Sequence, residues 1–260
     1  MLFLLPPSET KTQGGVGLSI SQVALTFGGL NPARELVYSK LRELCEGDSA
    51  RAAKTLKLSV RQLDDLERNL QVENAPIMPA LLRYTGTLYD AIHDRGLKGS
   101  GAEDNVLPAD AIRRAKEIVL IQSSLFGLIP ATDLIPYYRL SATTTLLGLS
   151  LKKVWSEAHE PIWKRLEQGP IIDMRSKQYA QLAPIPDSLE HYELDVVLES
   201  ADGNREQLNH FNKKAKGMLI NAVLTAEIAP QTIPDLAKCA KSKGMRLERS
   251  GHQLTLVTFA

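Results

Sequence analysis

Two stretches of the sequence place reactive side chains at short spacing. The first is LLPPSETK at Leu4–Lys11, where an apolar run ends at two prolines and is followed by Ser8, Glu9 and Lys11. A lysine next to a glutamate can bind an anion, or can act as an acid/base pair or a nucleophile if burial lowers its pKa. The alternative is a solvated loop that carries a weak surface ion pair.

The second stretch is MRSKQY at Met174–Tyr179, which follows an apolar, strand-like segment. It offers Lys177 as another candidate nucleophile or general base, and Tyr179 as a pocket residue. No Ser-His-Asp arrangement can be assembled from the spacing here, and the chain contains no GxSxG motif.

A third group of charges lies on a predicted helix that carries Lys213, Lys214 and Lys216. Lys213 and Lys216 are three residues apart and therefore lie on neighbouring parts of one helix face. Ammonium groups near a helix start oppose the helix dipole, which favours an anionic partner. The alternative is a solubilising lysine face. The stretch Lys213–Arg249 holds eight basic and three acidic residues, so charge is segregated in a chain whose net charge is only +1.

Composition excludes several other classes of protein. The 260 residues contain 31 basic and 30 acidic side chains, so no global charge marks a nucleic-acid binder. The two cysteines are far apart and the five histidines are scattered, so neither a disulfide scaffold nor a metal site is expected, and no cofactor is predicted. No apolar run reaches the roughly 18 residues of a membrane span, and no signal peptide is recognised. We therefore expect a cytoplasmic protein without a membrane partner.

The elements that must position these groups alternate between strands and helices. Leu2–Leu5 predicts a buried strand that ends at Pro6, because proline cannot donate to a strand ladder. The helical patterns begin near Asn31, Ser59, Pro79, Pro108, Leu151, Gln207 and Thr232, and strands are predicted at 118–121, 137–140, 170–174 and 193–199. Met245–Phe259 predicts a hairpin, and Lys98–Ala102 a flexible surface loop. These elements predict one mixed α/β domain over residues 1–260, with helices around a mixed central sheet.

The segment from Gln122 to Leu140 is ambiguous. A strand ends in a small turn at Gly127, and a proline-bounded stretch then leads to Arg139. A glycine in a tight hairpin can present backbone N–H groups to a phosphate, as helix-hairpin-helix modules do. The alternative is a packed connection in which the glycine supplies only a positive φ.

Five blocks together resemble the YaaA-like peroxide-stress proteins. They are LLPPSETK at 4–11, RYTGTLYDAI at 83–92, SLFGLIPATDLIPYYRL at 124–140, MRSKQY at 174–179 and NKKAKGMLINAVL at 212–224. The resemblance implies a single mixed α/β domain with a positively charged cleft, a helix-hairpin-helix-like element, and a role in oxidative-stress defence through DNA binding.

Two functional hypotheses follow. The first is a protein that binds double-stranded DNA without strong sequence specificity, with five basic residues on phosphates: Arg139, Lys177, Lys213, Lys214 and Lys216. The second is an enzyme that acts on a small anionic or nucleotide-like substrate. Its reactive group would be Lys11 or Lys177, with Glu9 and Ser8 nearby, in a pocket lined by Tyr84, Tyr89, Ser124 and Tyr179.

Overall fold

Short apolar runs that are buried on both faces form the centre of the molecule. The computed structural model describes residues 1–95, 107–166, 169–207 and 209–259, and only the backbone of residues 209–211. Its strands are β1 (Leu2–Leu5), β2 (Met78–Pro79), β3 (Val119–Ser123), β4 (Gly127–Pro130), β5 (Leu134–Ile135), β6 (Ile171–Asp173), β7 (His191–Glu199), β8 (Arg205–Glu206), β9 (Arg246–Ser250) and β10 (Gln253–Phe259). Its α-helices are α1 (Asn31–Glu46), α2 (Ser49–Thr55), α3 (Asp64–Leu70), α4 (Ala80–Arg83), α5 (Thr87–Ile92), α6 (Ala109–Ile118), α7 (Leu151–Trp163), α8 (Lys177–Ala180), α9 (Asn209–Thr225) and α10 (Ile233–Ser242).

The main sheet has a parallel centre and antiparallel ends. Its strand order is β4-β3-β1-β6-β7-β10-β9, and β8 pairs with β7. Strands β3, β1, β6, β7 and β10 run parallel to one another, whereas β4, β8 and β9 are antiparallel to β3, β7 and β10, respectively. The mixed α/β fold with a mixed central sheet, expected from the sequence, is confirmed.

Strand β1 occupies the middle of this sheet because its side chains can be buried on both faces. Phe3, Leu4 and Leu5 are completely buried. Burial of side chains of this size contributes roughly 1.5–3 kcal/mol each, which favours this position for the run. Pro6 and Pro7 then end the strand as the sequence predicts, and the chain leaves the sheet at its carboxyl edge.

Helix α9 packs very closely against α5. A β-carbon built on Gly217 would lie 2.2 Å from the carbonyl oxygen of Leu88 and 2.7 Å from the β-carbon of Ala91. Only glycine therefore allows this approach. The contact brings the first turns of α9 close to the carboxyl edge of β1, since α5 carries Tyr89, whose hydroxyl donates to the Pro6 carbonyl over 2.8 Å.

Three predicted elements differ from the structure or fall outside it. Residues 137–140, predicted as a strand, belong to no strand, because the side chain of Asn69 bonds both backbone polar groups of Arg139. The segment compared with a helix-hairpin-helix is a β-hairpin of β3 and β4, whose register pairs Ser123 with Gly127. The loop predicted at Lys98–Ala102 lies outside the described residues.

Candidate functional site

The loops that follow three adjacent parallel strands meet at one edge of the sheet. Strand β1 leads into Pro6–Lys11, β3 into the turn after Ser123, and β6 into Met174. Met174 donates its backbone N–H to the Leu4 carbonyl over 2.9 Å, which ties the β6 loop to the end of β1. The carboxyl edge of parallel strands is where such sheets usually bind ligands, so this edge is the candidate site.

Lys11 lies at the centre of this edge and is almost fully buried, with 9% of the residue exposed. Its Nζ donates to the Ser8 carbonyl over 2.9 Å and lies 4.2 Å from the ring centroid of Tyr138 and 5.4 Å from that of Tyr84. Burial lowers the pKa of Lys11 to about 7, although the charge of Glu9 acts in the opposite direction. The amine and the ammonium are therefore both populated at neutral pH.

The backbone around Lys11 is held by a buried arginine. Lys11 and Tyr84 form an antiparallel β-bridge, and the N–H of Thr12 donates to the Arg83 carbonyl over 2.8 Å. The Arg83 guanidinium donates to the carbonyls of Thr12, Gly14, Pro76 and Ile135. Four carbonyl acceptors satisfy this buried cation, and as a result the loop after Lys11 has a fixed path.

Glu9 is held by Arg139 and Tyr179. Arg139 Nη1 donates to the Glu9 carbonyl over 3.0 Å and lies 3.3 Å from Glu9 Oε2. Tyr179, at the end of its predicted block, donates its hydroxyl to Glu9 Oε1 over 3.4 Å. Glu9 Oε2 is nonetheless a buried acceptor without a hydrogen bond among the described residues. Arg139, predicted to contact phosphate, is largely engaged within the protein, and its side chain is 13% exposed.

A chain of buried hydroxyls runs beside Lys11. The Tyr84 and Tyr138 hydroxyls are 2.9 Å apart, and the Tyr138 hydroxyl is 2.9 Å from Ser123 Oγ. Burial raises the pKa of Tyr138 to about 12 and that of Tyr84 well above its ordinary value. Both phenols are therefore protonated at neutral pH and can serve as hydrogen-bond donors.

The other predicted pocket residues lie at the same edge and bond backbone groups. Ser124 donates to the Leu140 carbonyl over 2.7 Å, and Tyr89 donates to Pro6 as described above. The Ser8 hydroxyl is 3.1 Å from that of Thr10. These three residues brace the loops, whereas Tyr84 and Tyr138 face the Lys11 amine.

The predicted lysines of α9 differ in exposure. Lys213 and Lys214 are exposed, but Lys216 is partly buried and donates to the Met174 carbonyl over 3.0 Å. Burial lowers the pKa of Lys216. Lys177 is exposed at the start of α8, three residues after Met174. The spacing in the sequence predicts the same role for Lys216 and Lys213, but only Lys216 packs against the β6 loop.

Part of the basic stretch Lys213–Arg249 is neutralised by acidic partners. Lys238 pairs with Asp235 at 3.0 Å. Arg246 contacts Glu199 and Glu248, and both carboxylates are shared with Arg205. Fewer basic side chains in this stretch are therefore available to bind an anionic partner than the number of basic residues in the sequence indicates.

The hairpin glycine Gly127 does not offer its backbone to a ligand. It has φ of +66°, and an added β-carbon would lie 2.6 Å from the Trp155 ring. Strand β4 is buried along its whole length. The alternative interpretation of this segment, a packed connection, is therefore the observed one.

Sequence reasoning missed a buried ion pair at the end of β6. Arg175 donates from Nε and Nη2 to the two oxygens of Asp173 over 2.8 and 2.7 Å, and from Nη1 to the Ala183 carbonyl. Gln122 Nε2 lies in the same buried region and has no hydrogen-bond acceptor among the described residues. The sequence shows only an arginine two residues after an aspartate, and this spacing does not indicate that the pair is buried.

Cys45 and Cys239 are buried, and burial raises the pKa of both thiols. Within the described ranges no group of three or more His, Cys, Asp or Glu side chains has the arrangement of a metal site. None of the helices in the described part of the chain combines the length and apolarity that a bilayer-spanning helix needs.

Comparison with known proteins places the chain in a family. Residues 1–250 match the family described as "Peroxide stress protein YaaA". A UPF0246 protein of Corynebacterium efficiens is 36% identical over 98% of each chain, and one of Corynebacterium glutamicum is 36% identical with the same coverage. A UPF0246 protein of Streptomyces coelicolor is 33% identical over 95% of this chain and 92% of its own. The chain therefore belongs to the peroxide stress protein YaaA family.

Proposed function

We propose that this member of the family is an enzyme whose reactive group is the Lys11 amine, and that it acts on a small anionic substrate. The observation that supports the proposal most strongly is the environment of Lys11. The amine is buried, donates to the Ser8 carbonyl, and is hydrogen-bonded to none of the described carboxylates. A pKa of about 7 gives a substantial fraction of the nucleophilic, unprotonated form at neutral pH.

A purely structural role explains these features poorly. Burial of a lysine without a bonded carboxylate destabilises the folded protein, and an apolar residue would fill the same space more favourably. Strongly perturbed pKa values cluster at functional sites. The Glu9 Oε2 atom is buried and lies 3.3 Å from the Arg139 guanidinium but accepts no hydrogen bond from the described residues, so it can accept one from a ligand.

The surrounding residues have distinct roles in this proposal. Glu9 raises the pKa of Lys11 through its charge and can accept a hydrogen bond from the substrate. Ser8 orients the amine through its carbonyl. Lys177 is exposed at the same edge, so its role is to attract an anion rather than to act as the nucleophile.

The proposal is tested by competitive labelling of the lysines with acetic anhydride as a function of pH. We expect the peptide that contains Lys11 to show a reactivity midpoint near pH 7, since the unprotonated amine is the form that reacts. Lys213 serves as the exposed control and is followed in the same samples. A Lys11 midpoint that coincides with that of Lys213 would refute the proposed function.

A second candidate function is binding of duplex DNA without strong sequence specificity, in the cytoplasm. The observation that favours it is the exposure of Lys177, Lys213 and Lys214 near the same edge of the sheet. The Lys216–Met174 bond joins α9 to the loop that leads to Lys177, which places these lysines on adjoining elements. Phosphate contacts of this kind would make binding strongly dependent on salt.

This second function is tested with the double substitution Lys213→Glu and Lys214→Glu. If both lysines contact phosphates, duplex affinity should fall at least about tenfold, and the salt slope should decrease by about two. The matched control is Lys152→Glu with Lys153→Glu, which changes two adjacent exposed lysines near the start of α7. Equal losses in both variants would show that only net charge matters and would exclude a specific interface on α9.

A further inference from the structure

The buried hydroxyls of Ser123, Tyr138 and Tyr84 form a hydrogen-bonded series beside Lys11, and a donor can be assigned to each bond in it. Ser123 Oγ accepts the backbone N–H groups of Leu125 and Phe126 over 3.1 and 2.9 Å. These bonds occupy both acceptor positions of the serine oxygen, so its own proton is donated to the Tyr138 hydroxyl. For the next bond, which joins the Tyr138 and Tyr84 hydroxyls over 2.9 Å, we assign Tyr138 as the donor.

The last hydroxyl of this series, that of Tyr84, is a hydrogen-bond donor. With this assignment the completely buried Tyr84 accepts from Tyr138, and its own proton remains for another acceptor. A buried donor without an acceptor is unfavourable, so its presence indicates a ligand atom that accepts. Tyr84 is bridged to Lys11 through the backbone, and its ring centroid is 5.4 Å from the Lys11 amine. The donor and the amine therefore belong to one site.

We propose that the substrate is an aldehyde or a 2-oxo acid, that the Lys11 amine forms a Schiff base with its carbonyl carbon, and that the Tyr84 hydroxyl donates a proton to the carbonyl oxygen. This inference rests on the proposed function of Lys11. An amine that is free to attack, next to a neutral donor without an acceptor, is the arrangement that addition to a carbonyl requires. Exposed Lys177 favours a carbonyl compound that also carries negative charge.

The reaction balances without an oxidant or a reductant. The lone pair of Nζ forms the C–N bond, the carbonyl π pair moves to oxygen, and that oxygen takes the proton of Tyr84. The nitrogen then returns a proton to Tyr84, which gives a neutral carbinolamine. The hydroxyl next leaves as water with the Tyr84 proton, and the nitrogen lone pair forms the C=N bond. A final proton from solvent restores Tyr84 and leaves a protonated Schiff base on Lys11.

Tyr84 therefore contacts the reacting atoms, whereas Tyr138 and Ser123 act through it. Because Ser123 accepts two backbone N–H groups, the turn after β3 sets the direction of donation from Ser123 to Tyr138. Loss of the Tyr138 hydroxyl would leave Tyr84 without the incoming hydrogen bond that polarises it. We expect a smaller effect from Tyr138→Phe than from Tyr84→Phe.

The test is reductive trapping with cyanoborohydride, followed by mass spectrometry of the peptides. The probes are glyoxylate and pyruvate as anionic carbonyl compounds and acetaldehyde as a neutral one. We expect glyoxylate or pyruvate to modify Lys11 selectively near pH 7, and Lys11→Met to abolish this modification. Tyr84→Phe should slow trapping about 100-fold, as removal of a general acid does. In this variant the pH midpoint of Lys11 labelling should stay near its original value.

The matched control is Tyr192→Phe, which removes the hydroxyl of another buried tyrosine, one that donates to Glu190 outside the candidate site. Trapping should proceed at nearly the wild-type rate in that variant. The inference is overturned if none of the probes modifies Lys11 although acetic anhydride labels it with a midpoint near pH 7, and in that case the proposed function still stands. Equal rates for Tyr84→Phe and Tyr192→Phe would remove Tyr84 as the proton donor.

Discussion

Replacement of Lys11 by methionine should stabilise the folded protein at neutral pH. Burial lowers the pKa of this amine from 10.5 to about 7. Between these two values the unfolded chain binds a proton that the folded protein does not, so the stability of the wild type rises with pH over this range. The unfavourable contribution is about 4 kcal/mol at pH 7.5 and about 2 kcal/mol at pH 9, at 1.36 kcal/mol for each unit of pKa.

Methionine fills a similar volume but forfeits two favourable contacts, the hydrogen bond to the Ser8 carbonyl and the approach to the Tyr138 ring. These contacts together are worth about 1–2 kcal/mol, which leaves a net gain of about 2 kcal/mol near pH 7.5. The gain should disappear as the pH approaches the ordinary lysine pKa.

The assay is urea unfolding of both proteins at pH 7.5, 9 and 10, with Lys241→Met as a control because Lys241 is exposed. The control should change the stability by less than about 0.5 kcal/mol, as exposed substitutions usually do. If Lys11→Met is less stable than the wild type at every pH, the amine contributes to the fold, and the argument that it is retained for chemistry fails.

Three further predictions concern the framework of the site. Burial lowers the pKa of His159 to about 4, so the folded protein should lose about 2–3 kcal/mol between pH 6.5 and pH 4.5, and His159→Gln should flatten this dependence in acid unfolding. Gly217→Ala should destabilise the protein by more than about 2 kcal/mol because the new methyl group meets the Leu88 carbonyl, whereas Gly17→Ala, with no atom within 4 Å, should be nearly neutral in thermal unfolding. Asn69→Ala should cost about 2–4 kcal/mol in urea unfolding, since it removes two hydrogen bonds to the backbone of Arg139, and an unchanged stability would contradict the role assigned to Asn69.

Local patterns were sufficient to predict the elements that carry the site. The run Leu2–Leu5 followed by two prolines predicts a buried strand and its end, and both are observed. The helical patterns that begin near Pro79 and Gln207 correspond to α4 with α5 and to α9. These features depend on residues close together in the chain, where proline, glycine and apolar periodicity act directly.

Features that depend on distant partners could not be predicted in this way. The spacing of Lys213 and Lys216 is the same in an isolated helix and in the protein, but only the β6 loop makes Lys216 a donor to Met174. Residues 137–140 have strand-like composition, and Asn69, about 70 positions earlier, takes the place of a neighbouring strand. The importance of Tyr138 was likewise hidden, because it arises from hydroxyls on three separate elements.

The burial of both cysteines affects how peroxide can react with this member of a peroxide stress family. Peroxide oxidises thiolates far faster than thiols, and both cysteines of the chain are buried with raised pKa values. The groups at the candidate site are instead an amine, phenols that keep their protons, and a carboxylate. Among these proposed reactive groups there is no thiolate for the oxidant to attack. The chemistry proposed for Lys11 therefore requires no thiolate that peroxide could consume.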